Sequence, residues 1–188
     1  MKTVKRVLSL TPLLLLWLVL CVLVWGFVFT RITDTAPENK IVIWINAPVP
    51  RATDLAVKLE EGLSGRIGMV QVRPFGYNLM GESAMKDGDL YIVRASDVDT
   101  YLDWFAPLPG DLRDESTLSR DGVALGVTAY SAQDRFGIAE EYIEYEAPAE
   151  NAQNYYLIFG KNSLHNPDAE NAADGMAVDA ARLLLNIP

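Results

Sequence analysis

Five polar side chains stand where this sequence can present them to a ligand: Asn46, Tyr77, Asn78, Ser96 and Asn162. Each follows an apolar, strand-like run. In open α/β sheets ligands bind beyond the carboxyl ends of the strands, beside helix N-termini. Amides and a hydroxyl there suit hydrogen bonding to a small solute, and Tyr77 could stack on a sugar. Three of these positions also have a plainer reading. The Ser96 hydroxyl suits a helix N-cap. Asn46 lies in a turn beside Pro48, and Tyr77 fits partial burial.

Catalytic constellations are missing from the sequence. His165 is the only histidine and Cys21 the only cysteine. A metal site built on several imidazoles cannot be assembled, and no disulfide can close within the chain. One histidine would be enough for a Ser-His-Asp triad, but there is no G-x-S-x-G elbow. P-loop, G-x-G-x-x-G and D-x-[DN]-x-[DN]-G patterns are also missing. Glu140, Glu141, Glu144, Glu146 and Glu150 read as a solvated edge rather than a cation site. Trp104 and Phe105 read as core. The expectation is a domain that is not an enzyme and uses no metal and no cofactor.

The elements that must position these residues begin with an apolar segment. Residues 7–30 carry no charge. As a helix they would reach about 36 Å, enough for a hydrocarbon core of ~30 Å. Lys2, Lys5 and Arg6 precede the run, which predicts a cytoplasmic N-terminus (1–6), a single-pass anchor (7–30) in contact with the lipid bilayer, and an extracytoplasmic remainder. The run exceeds a signal-peptide core, and Leu20 before Cys21 is too bulky for lipoprotein processing. Residues 31–39 read as a stalk. Residues 31–188 hold 13 basic and 25 acidic side chains, a net charge of −12. That charge repels phosphate backbones, so no nucleic acid partner is expected.

Residues 40–188 read as one α/β domain. The run 40–45 is apolar and β-branched without alternation, which suits a strand buried on both faces. Leu55, Leu59 and Leu63 fall at helical spacing over 52–63. Strands follow at 69–73 and 89–94. Ser96 then precedes a helical pattern that Pro107 stops. Strands are expected at 123–130, 138–145 and 155–159, and a helix at 174–186 that Asp174 could cap. The first three strands in a row, with a helix after the first and after the third, argue for a three-layer α/β fold with a mostly parallel sheet.

The stretch Gly88-Asp-Leu-Tyr-Ile-Val93, the helical pattern after it and Phe105-Ala-Pro-Leu-Pro109 resemble the first lobe of extracellular solute-binding proteins of bacterial transporters. Residues 155–165, YYLIFGKNSLH, with the C-terminal helix, are similar to short membrane-anchored proteins related to that family. The resemblance implies a periplasmic-binding-like lobe. A complete member has two lobes that close on a ligand, each of about 100–150 residues. Only residues 111–154 lie where the second lobe would be inserted. The expectation is thus a single anchored lobe that binds a small solute or an envelope component. The alternative is an interaction module for another membrane or surface protein, and an envelope hydrolase ranks below both.

Overall fold

The computed structural model describes residues 2–33, 35–75, 85–114, 116–145, 153–167 and 174–187, and in the first helix the side chains of 12–28 only. The chain divides into two compact units, Met1–Thr35 and Ala36–Pro188.

The first unit is helix α1, Lys2–Thr33, with Pro12 inside it. Its described side chains are exposed throughout, Leu14, Trp17 and Trp25 among them. The expected transmembrane helix is corrected here. Among the described residues no helix is long and apolar enough to cross a membrane.

The second unit is built on one sheet. Its strands are β1 (Lys40–Ile45), β2 (Met69–Pro74), β3 (Leu90–Arg94), β4 (Leu118–Arg120), β5 (Val123–Ser131), β6 (Phe136–Gly137) and β7 (Tyr155–Phe159). Its helices are α2 (Ala52–Gly62) and α3 (Met176–Leu185). The spatial order is β2-β1-β3-β7-β5-β4, with β6 on β5. β1 pairs in parallel with β2 and β3. Every other pairing is antiparallel: β3 with β7, and β5 with β7, β4 and β6.

The sheet is therefore mixed and mostly antiparallel, which corrects the mostly parallel expectation. The crossover pattern ends at β3, and a hairpin takes over. Asp121 and Gly122 join β4 to β5 with φ of 50° and 79°, the two positive values that a type I′ turn requires. The expected strand at 138–145 is also replaced. Tyr142 and Ile143 both donate to the Ala139 carbonyl in a turn, and Ala139 itself has a φ of 53°.

The long apolar runs follow from cover on both faces. Ile41, Ile43, Ile45, Leu90 and Ile92 pack with Leu55, Leu59 and Leu63 near α2 and with Ala177, Ala180, Ala181 and Leu184 of α3. The intervening Trp44, Tyr91 and Val93 point to a second cluster with Met85, Val98, Phe105 and Ile158. Here the expected helix after Ser96 is a 3-10 helix, Asp99–Trp104. Its rings pack closely: Tyr101 and Trp104 have centroids 4.7 Å apart. β2 forms one edge of the sheet. Its Val70 amide donates to Glu60 Oε1 of α2 at 2.7 Å, and Pro74 has no N–H to offer.

Candidate functional site

Asp89, directly before β3, is 4% exposed. It fastens three segments. Its Oδ2 accepts the Val42 amide of β1 at 2.7 Å. Its Oδ1 accepts the Ser163 hydroxyl, in the turn after β7, at 2.5 Å. Its own amide donates back to the Val42 carbonyl. The turn is brought close by paired glycines: a Cβ on Gly160 would lie 1.9 Å from the Gly88 carbonyl oxygen. Burial pushes the Asp89 carboxyl above its usual range, against the lowering effect of the Ser163 and Val42 hydrogen bonds and the His165 charge.

His165 lies behind this junction and is 1% exposed. Its amide donates to Ser163 Oγ at 3.0 Å. Its Nδ1 meets Asp174 Oδ1 at 2.9 Å, and its Nε2 meets the carbonyl oxygens of Lys40 at 3.1 Å and Pro37 at 3.2 Å. All three partners are acceptors. A neutral imidazole has one N–H, whereas the imidazolium has two, so only the imidazolium satisfies both nitrogens. A neutral ring would face an acceptor with a bare lone pair, at a cost of about 1–3 kcal/mol. Burial alone would lower this ring's pKa, but the Asp174 hydrogen bond, the Asp89 charge and the Pro37 carbonyl raise it above the ordinary value. The same Asp174 oxygen accepts the Met176 amide at 2.9 Å and so starts α3.

In front of the junction opens a cavity of about 450 Å³. Its walls differ in charge. Lys40 of β1 and Arg73 of β2 contribute cations, and Asp87 and Asp89, on the approach to β3, contribute carboxylates. Gln71 and Asn162 add amides, and Val42, Pro37 and Leu164 add apolar surface. Arg73 stacks over the Trp44 ring at 5.5 Å and donates to Gln71 Oε1 at 2.5 Å. A cavity of this size lies in the range of small-molecule sites. Its groups can pair with charge of both signs. Ser163 is not prepared as a nucleophile, because its hydroxyl donates to Asp89 and the His165 ring faces elsewhere.

The residues expected from sequence are divided between two ends of the sheet. Asn46 and Ser96 come together at the carboxyl ends of β1 and β3. Asn46 Nδ2 donates to Asp97 Oδ2 at 2.5 Å, and the Ser96 hydroxyl donates to Asp97 Oδ1 at 3.0 Å. Ser96 does not cap the 3-10 helix, whose N-cap position is Val98. Asn162 lines the cavity at the opposite end, because β7 runs antiparallel to β3 and carries its own carboxyl end there. Tyr77 and Asn78 lie outside the described residues. Sequence reasoning missed Asp89, Ser163 and His165. The available signals were an acidic residue opening an apolar strand and the chain's single histidine two residues after a serine.

No family model matches this chain, and no curated protein matches it. Thiaminase I from Bacillus thiaminolyticus, a solved structure, matches with 13% identity and a TM-score of 0.34, over 48% of this chain and 28% of that one. A likeness at this level carries no argument about fold or chemistry, and the match spans under a third of that protein. The matched protein is by its title an enzyme, and the expectation that this domain is not an enzyme is not maintained.

Proposed function

We propose that the unit of residues 36–188 binds a small zwitterionic solute, an amino acid or short peptide, in the cavity beside β1. The observation that supports this is that the walls carry charge of both signs: Lys40 of β1 and Arg73 of β2, with Asp87 and Asp89 on the approach to β3. β2 and β3 flank β1 at about 4.8 Å each, so the walls rise from backbones roughly 10 Å apart. Two extended residues span about 7 Å, which leaves room for an ionic hydrogen bond. The ligand's ammonium would meet Asp89, whose hydrogen-bond donors among the described residues, the Val42 amide and the Ser163 hydroxyl, are neutral. The resemblance to one lobe of a solute-binding protein points the same way.

The test is thermal unfolding of the full-length protein with alanyl-alanine, alanine, N-acetylalanine and glucose. A ligand at 100 times its dissociation constant adds about 2.7 kcal/mol, which raises the midpoint of a chain this size by roughly 5–10 °C. Alanyl-alanine is expected to do this, N-acetylalanine to do less, and Asp89→Asn to abolish the shift. A response to glucose alone, or none to any of the four, would overturn the proposal.

A further inference from the structure

The polar contacts of the His165 ring run to two backbone carbonyls, of Pro37 and Lys40, and to Asp174 just ahead of α3. Pro37 and Lys40 both line the cavity. Ser163, bonded to the His165 amide, holds Asp89 in place. The His165 carbonyl accepts the Ala177 amide at the start of α3. One buried ring thus joins the entry to β1, the turn after β7 and the start of α3.

We infer that His165 is a positioning residue, a doubly protonated pin that ties the cavity wall formed by the entry to β1 and the turn after β7 to the start of α3. Loss of one of its protons loosens that wall and weakens solute binding. The binding clause rests on the proposed function above; the pin itself does not.

The groups facing the ring account for its charge. Asp174, ahead of α3, bonds it directly, and Asp89, at β3, adds a second negative charge. β1 presents the Lys40 carbonyl, while the Lys40 side chain lies along the cavity. Asp179 of α3 is paired with Arg66 and Arg182. The folded state binds the ring proton more tightly than the unfolded chain does. The pin therefore contributes fully below the unfolded imidazole value of ~6.5. Its contribution is lost as pH rises through the higher folded value.

The chain's single histidine makes the test direct, because ¹⁵N-histidine labelling of the full-length protein gives one imidazole. At pH 6 both ring nitrogens are expected to carry protons. Amide exchange is then followed at Val42, His165 and Ala177, corrected for the intrinsic pH dependence of exchange. Protection at these amides should fall at least tenfold across the ring's titration. In His165→Gln it should be lower and independent of pH. Affinity for alanyl-alanine should fall at least threefold over the same range.

A singly protonated ring at pH 6, or protection unchanged across its titration, would overturn the pin even if His165→Gln fails to fold. Alanyl-alanine bound equally tightly throughout would overturn its control of the cavity. Correct ring and amide behaviour with no binding at any pH would leave the pin standing and sink the solute reading together with the binding clause.

Discussion

The two ends of β1 carry polar groups of similar type and use them differently. At the carboxyl end, Asn46, Ser96 and Asp97 bond to one another near the surface. At the amino end, Asp89, Ser163 and His165 are buried and held by backbone groups, with a cavity in front of them. The first cluster closes a turn. The second keeps a carboxylate in low-dielectric surroundings, where its charge is worth more to an incoming cation. Residue type alone does not distinguish a candidate site from a turn. What distinguishes them here is burial beside open space.

Three substitutions test this difference. Gly160→Ala should have the largest effect. Its new methyl would meet backbone at Gly88, so the turn carrying Ser163 must move, at a cost of about 3 kcal/mol. Urea unfolding followed by circular dichroism would measure this, and a loss below ~1 kcal/mol would show that the turn yields. Next, Asp89→Ala strands the part-buried Val42 amide and the buried Ser163 hydroxyl. It should cost about 2 kcal/mol by the same measurement; a neutral result would mean that water replaces the carboxylate. Smallest should be Ser96→Ala at the other end of β1. It removes one exposed contact to Asp97, so stability should move by less than ~0.5 kcal/mol, with no change in response to alanyl-alanine. An effect equal to that of Asp89→Ala would erase the contrast between the ends.

Much of the fold was legible in short-range pattern. The unbroken apolar runs 40–45 and 155–159 formed buried strands, and the leucines of α2 carry a helical period. Asp174, read as a cap, stands one residue before the N-cap position, Gly175, and from there accepts the Met176 amide. What was not legible depended on pairing between distant segments. The sequence of β7 does not state its direction, yet that direction moved Asn162 to the far end of the sheet. The Asp121-Gly122 turn was a readable hairpin signal, obscured because β4 has only three residues. Tyr142 and Ile143 are buried as a strand reading requires, but they reach the core from a turn. The cavity was hidden for a related reason. Its walls come from β1, β2, the approach to β3 and the turn after β7, and no local motif joins them.

The guarded edge of β2 bears on how the protein behaves in company. A bare edge strand invites the edge of a neighbouring copy, and sheets that extend in this way end as aggregate. Glu60 already occupies the Val70 amide, and Pro74 leaves a gap in the row of donors. A second chain approaching this side would find few bonds to make. The protein can therefore be crowded on that flank without recruiting its own copies into a growing sheet.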